Sequence, residues 1–504
     1  MSDSLSSRSS LLGLLLVLIV LSHALVYVPC LQDDAFISFR YAENLVAGHG
    51  LVFNPGERVE GFTNLSWTLL MALPIALGQS PETFAVVAGL LAVIGLVLLT
   101  WRIAKHLMPG QPFLALIPPL LLAGDGPMLM EAVQGLETSF FALLVLGMWW
   151  SSVREAEDES AFPTSALFGA LATLTRPEGI LLYGGLQGIR FLHQRGRTTA
   201  RDRKGWWIVL AVLGGQLAFR LAYYGQPLPN TFYAKVGGGA VTWARGLDYL
   251  GRFAASHPVF CLLALGGVVA LRKGLGAVRN QLLLGLCLGW FVYLVTVGGD
   301  FKITWRFMHA VMAPMALLAG VGLARLWEVL GQRGPWQGKA AVLSLLLAWG
   351  LLDAGPESRR STQEARFRGE VTFMRQAVGM WLRANVPPDT VLAIHSSGVV
   401  PYYSGLPTID MWGLSDLHIA RREMPHMGRG MPGHEKSDPA YVFERQPQIY
   451  LPEEFLVTPE FHPLPVPGDF PPDFEHQYDG CSVTLERGVL NFFERAGERE
   501  ICPG

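Results

Sequence analysis

Charge is what this 504-residue chain has least of. Asp, Glu, Lys and Arg make up 16% of it, where soluble globular proteins carry about 25%. Hydrophobic residues make up 51% and there are 14 Trp. That imbalance excludes an ordinary soluble domain and points to a polytopic membrane protein. Net charge is -2, without the basic excess a nucleic-acid partner requires, so none is expected. The five cysteines, Cys30, Cys261, Cys287, Cys481 and Cys502, form no CxxC and no metal-ligand spacing. Cys481 and Cys502 could pair if their segment faces an oxidising compartment. No internal repeat, low-complexity tract, Gly-rich phosphate loop or Ser-His-Asp order is visible.

Apolar runs alternate with short loops until Asp353. From there "AGPESRRSTQEARFRGE" opens a polar, proline-rich remainder. Two domains are read: a membrane domain, 1–354, with a large outer loop at 30–82, and a soluble domain, 355–504. The first run follows one basic residue, Arg8, and reads as a retained anchor rather than a cleaved signal.

Basic residues concentrate in four loops. Arg102 and Lys105 form the first, and Arg190, Arg195, Arg197, Arg201, Arg203 and Lys204 the second. Arg272, Lys273 and Arg279 form the third, and Arg325, Arg333 and Lys339 the fourth. If all four are cytoplasmic, the crossings between them are even in number. Spans at 11–29, 83–105, 113–130, 137–152, a hairpin 164–176/178–192, 206–224, 258–271, 281–297, 307–327 and 340–354 satisfy this, about eleven in all. A single helix in place of the hairpin would break the parity. "LSWTLLMALPIALG", Leu65 to Gly78, is short for a crossing and reads as an interfacial helix. The N-terminus is then cytoplasmic. The large loops and the soluble domain share the outer face of the membrane, where a chamber follows.

The C-terminal domain reads α/β. Phe367, Val371, Met374, Val378 and Trp381 form one helical stripe, "TVLAI" a buried strand and "SVTLERGVLNFFERA" a hairpin.

Several outward residues could do chemistry. Asp33 and Asp34 open "DDAFISFRYAENLVAGHG"; one aspartate there could simply cap a helix. A carboxylate at the membrane edge could also deprotonate a hydroxyl or hold a divalent cation. "GGDFKITWRFMH" brings Asp300, Lys302, Arg306 and His309 to the same face. Arg306 is either an interfacial anchor or a phosphate-binding fork, and His309 is a further candidate to bind the same phosphate. Lys235, with Asn230, Tyr224 and Tyr233, is a polar turn or a second cation of the same kind. Arg176 and Glu178 interrupt "ATLTRPEGILL", as a salt bridge at a helix tip or as functional intramembrane charge. Glu137 and Glu131 lie in a loop. His395 is either a satisfied core histidine or faces a ligand.

The segments "DDAFISFRYAENLVAGHGLVFNPGERVEGFTNLSWTLL", "GLET", "TRPEG", "YYGQPLPNTFYAKVGG", "GGDFKITWRF" and "GVVPYYSGLPTIDMWGL" occur in this order over nearly the whole chain. Together they resemble the GT-C superfamily of membrane glycosyltransferases, and within it the mycobacterial terminal β-(1→2) arabinofuranosyltransferase and its bacterial relatives. The resemblance implies a GT-C fold, a polyprenyl-phosphate-linked sugar donor and inverting transfer to a cell-envelope glycan acceptor. It carries the general-base role to Asp33 or Asp34 and the phosphate-contacting role to Arg306 and, more distantly, Lys235. Tyr402, Tyr403 and Trp412 are candidates to grip the acceptor. No cofactor is implied, and any divalent cation would be held at Asp33 or Asp34. Two rivals remain: a transporter or flippase of lipid-linked saccharides, and a non-catalytic glycan-binding scaffold.

Overall fold

A computed structural model describes every residue except 1, 29, 159–160, 238, 333, 335, 454–455, 461–465, 467–469, 498–500 and 503–504. Arg333 of the fourth basic loop lies outside the described residues. By contact the chain divides into two compact units. The first comprises Met1–Cys30, Glu82–Gln216 and Ala240–Arg366; the second comprises Leu31–Pro81, Leu217–Gly239 and Phe367–Gly504.

The first unit is helical. A helix occupies each stretch where a crossing was expected, including both halves of the hairpin, Thr164–Thr175 and Gly179–His193. Among the described residues, six helices are long and apolar enough to cross a membrane, or up to eight if each of two bent pairs is one span. One pair corresponds to the single crossing expected at 113–130. It breaks instead into Leu114–Ala123 and Gly126–Val133 at 55°. Gly124 ends the first piece, and Asp125 caps the second by accepting from the Met128 N–H at 2.8 Å. The other joins Ala240–Ser256 to Pro258–Gly274 at 101°. Asp353 explains how that bend is tolerated, because its buried carboxylate accepts from the otherwise orphaned N–H groups of Val259 and Phe260. A π-turn at Gly350–Ala354 carries Asp353 within a helical run from Gln337 to Asn385. The helices Pro258–Leu271 and His309–Gly331 approach backbone to backbone, since a Cβ at Gly267 would strike the Leu318 carbonyl. Trp149 and Trp290 fill the core.

The second unit is built on a six-stranded sheet. β1 (Leu392–Ile394) pairs in parallel with β2 (Thr408–Asp410) and with β3 (Ile449–Leu451). β4 (Val457–Thr458) and the hairpin of β5 (Tyr478–Leu485) and β6 (Gly488–Arg495) extend it antiparallel. β1 and the hairpin are the strands expected from "TVLAI" and "SVTLERGVLNFFERA". A disulfide joins Cys481 to Cys502.

The first-loop segments belong to this unit, held by buried polar bonds. Arg40, 4% exposed, donates to the carbonyls of Phe53, Pro401 and Leu406 and to the Asn54 side chain. Its guanidinium also lies 4.4 Å from the Phe53 ring centroid, and burial lowers its pKa to about 10. Glu60 grips Arg220 through both oxygens at 2.8–3.0 Å, and the Asn230 amide donates to the carbonyls of Gly413, Leu414 and Asp416. Removing one partner of such a buried pair costs about 3–5 kcal/mol. Much of "VEGFTN" and "QPLPN" is therefore scaffold.

Candidate active site

Within the second unit, the helix Asp33–Val46 begins with the two aspartates in its first turn, and Gln32 is its N-cap. Neither aspartate is therefore the cap residue of its own helix. Asp33 instead faces the start of the helix Val399–Ser404. Oδ2 accepts from the Gly398 N–H and Oδ1 from the Val399 N–H, both at 3.0 Å. Arg375 reaches Oδ1 at 3.1 Å. Gly398 has to be glycine, because a Cβ there would run into the Asp33 carbonyl oxygen.

Three donors occupy three of the roughly four acceptor positions of a carboxylate, and the Asp33 side chain keeps 15% of its exposure. Burial raises its pKa above the ordinary aspartate value; Arg375 and the Val399 N–H oppose the rise, and Asp34 and Glu453 add to it. The group is thus fixed in direction, partly open and more basic than a surface aspartate. Asp34, next in the same turn, projects about 100° further round the helix. Arg375 also pairs with Glu453, which accepts from the Ser396 hydroxyl at 2.7 Å.

Sequence reasoning missed Arg375. Its signal was a cation between Val371 and Val378, on the apolar stripe of its helix.

Tyr402 and Tyr403 pack on Phe36 at 5.5 and 5.7 Å between centroids. Trp412 stacks edge-on to His434 at 4.2 Å and meets His395 at 5.6 Å. Lys235 is exposed, its stem running past Gly433. The second unit thus splits the three aromatics into two places and puts His395 with Trp412.

The first unit gathers the other candidates around one ring. Arg176 and Arg306 each hold their guanidinium 5.1 Å from the Phe307 centroid. Arg176 is gripped by Glu137 at 2.8 Å and Glu178 at 2.7 Å, and the Arg306 Nε donates to Asp300 at 2.9 Å. Beside Arg306 and Lys302, the Asp300 carboxyl titrates below the usual range although burial opposes this. His309, 2% exposed, lies instead among Glu131, Asp125 and the Thr304 backbone.

An apolar cavity of about 250 Å³ lies between the helices Gly179–His193 and Val278–Val297, with Glu178 of this cluster in its lining. Glu178, Tyr293 and Thr296 contribute its polar groups, while leucines, Trp290 and glycines line the rest. A Cβ on Gly185 or Gly289 would meet nothing within 4 Å, so these two glycines leave the cavity its width.

Among the described residues, no group of three or more His, Cys, Asp or Glu side chains is arranged to hold a metal ion. The N–H and guanidinium donors around Asp33 do not fit a cation.

Comparison with known proteins bears first on the fold. Two crystal structures of ArnT from Cupriavidus metallidurans, one bound to undecaprenyl phosphate and one apo, superpose over 99% of this chain. They cover 99% and 100% of those chains, with TM-scores of 0.60 and 0.58 at 13% and 12% identity. The chain therefore has an ArnT-like fold.

In sequence it resembles terminal β-(1→2)-arabinofuranosyltransferases. It is 32% identical to that of Mycobacterium tuberculosis over 254 residues, 47% of this chain and 39% of the relative. It is 29% identical to that of Corynebacterium glutamicum over 369 residues, 63% of this chain and 51% of the relative. The matches thus span about half or less of these relatives' length. Residues 360–486 match a domain of unknown function, DUF8728.

Proposed function

We propose that this chain is an inverting membrane glycosyltransferase that moves a monosaccharide, arabinofuranose in the first instance, from a polyprenyl-phosphate donor to a glycan hydroxyl at the outer membrane face. The observation that carries the reading is the pairing of arginines with an apolar cavity. Arg176 and Arg306 both lie against Phe307, and Glu178, the partner of Arg176, is part of the cavity lining. An isoprenoid phosphate is a ligand of that shape: an anionic head on a long hydrocarbon tail.

In the proposed chemistry Asp33 accepts the proton of the acceptor hydroxyl as its oxygen bonds to the anomeric carbon. The bond from that carbon to the phosphate oxygen breaks on the opposite face, and its electron pair leaves with the phosphate. A glycosyl phosphodiester needs little more than a base for the nucleophile and positive charge on the leaving group. Arg306 supplies that charge, its planar fork matching phosphate oxygens. Asp300, bonded to Nε, fixes the fork's direction.

The reading is tested by mass spectrometry of lipids co-purifying with the protein. A polyprenyl-phosphate sugar or free polyprenyl phosphate is expected, depleted in Arg306→Ala. Ordinary phospholipids alone, in wild type and variant alike, would remove its support.

A further inference from the structure

The segment Gly298–Arg306 that carries Arg306 is irregular and strained. Gly298 and Gly299 have φ of 82° and 69°, and Trp305, a bulky residue, has φ of 56°. A left-handed tryptophan persists only where its surroundings impose it. Three groups do so, from three different elements. Glu131, with no exposure, accepts from the Thr304 hydroxyl at 2.5 Å and from the Thr138 hydroxyl at 3.1 Å. Glu357, 3% exposed, accepts from the Trp305 indole N–H at 3.0 Å and from Arg360 at 2.8 Å. His309 lies against the Thr304 backbone. Tyr249 and Phe253 then hold the Trp305 ring at 5.6 and 5.8 Å between centroids.

Burying two carboxylates merely to tie down a loop is an expensive way to stabilise a fold. What they hold is the residue pair immediately before Arg306. We propose that Glu131 and Glu357 are positioning residues for Arg306: they clamp Thr304 and Trp305 so that the guanidinium of the next residue meets the donor phosphate in one orientation. The proposal rests on the phosphate-binding reading of Arg306. It assigns the two glutamates no contact with substrate, and it adds specificity for a phosphate head held in a fixed place over a generic attraction of positive charge.

The test is binding of a polyprenyl monophosphate to the purified full-length chain, with KM and kcat measured separately in transfer assays. Thr304→Val removes the hydroxyl donor to Glu131 at constant shape, and Trp305→Phe removes the indole donor to Glu357. Each is expected to weaken binding about tenfold and to raise KM for the lipid donor more than it lowers kcat. In an Arg306→Ala background neither should weaken binding further, because the residue they position is gone. Glu131→Gln and Glu357→Gln, which keep an acceptor, should stay within about threefold of wild type. If Arg306→Ala weakens binding while Thr304→Val and Trp305→Phe do not, the clamp is overturned and the phosphate reading survives. Additive losses in the Arg306→Ala background would also overturn it, by showing a role independent of the arginine. If Arg306→Ala binds as wild type, both fall.

Discussion

Asp33 is held by the fold in the way the proposed base requires. The two N–H donors and Arg375 hold it still, and burial raises its proton affinity. A base works only when deprotonated, so the acid limb of its pH–rate profile should lie above the ordinary aspartate value of about 3.9. Arg375 opposes the rise, so Arg375→Gln should move that limb to still higher pH, as kcat/KM against pH will show. Asp33→Asn should lose transfer by roughly a hundredfold or more while still binding donor, since an amide accepts no proton. For Arg306 the expectation concerns shape as much as charge. Arg306→Lys keeps the cation but loses the fork, and losing one or two charge-assisted bonds of about 1.5–3 kcal/mol each predicts a drop of about tenfold to about ten-thousandfold. Wild-type turnover in Arg306→Lys at equal expression would contradict the phosphate contact. The candidate residues were legible in the sequence because ionisable side chains stand out against apolar runs. Their partners were less so. Arg375 lies 342 positions from Asp33 (375 − 33), and no local pattern announces a pairing made only by tertiary folding.

At the scale of the elements, hydropathy located the helices well. Each expected crossing is helical, and the hairpin at 164–176/178–192 appears as two helices with Arg176–Glu178 at the turn. What it did not show was bending. The break at Gly124–Asp125 depends on a capping carboxylate, and the 101° turn at His257 depends on Asp353, which lies 94 and 93 positions beyond the Val259 and Phe260 N–H groups it accepts from. Composition averaged over a window is blind to both. The cavity between Gly179–His193 and Val278–Val297 was equally hidden, since glycines on two separate helices create it. If it holds the isoprenoid tail, Gly289→Leu should fill it and raise KM for a long-chain donor about tenfold or more. The same substitution should leave a donor with a truncated lipid nearly unaffected. Equal effects on both donors would show that the substitution merely disturbs helix packing.

For the whole molecule, the basic loops make a prediction about sidedness. Arg195, Arg197, Arg203 and Lys204 are exposed, whereas Arg190 is buried between Glu155 at 2.8 Å and Asp202 at 2.7 Å. The exposed four are the charges available to the positive-inside bias. A reporter active only outside the cytoplasm should be silent near Arg197 and active when fused after the C-terminal domain; the reverse pattern would put the proposed chemistry on the wrong face. The Cys481–Cys502 disulfide agrees with an oxidising compartment for that domain. The central claim is that sugar leaves a polyprenyl phosphate through an aspartate base and an arginine-stabilised leaving group. Its most direct measurement uses the purified full-length chain with synthetic polyprenyl-phosphoryl-arabinofuranose, labelled in the sugar, and a panel of glycan acceptors. Wild type should yield labelled glycan of inverted anomeric configuration together with an equal amount of polyprenyl phosphate, and Asp33→Asn should yield about a hundredth of each or less. Retained configuration in the product, or equal product from Asp33→Asn, would contradict the account.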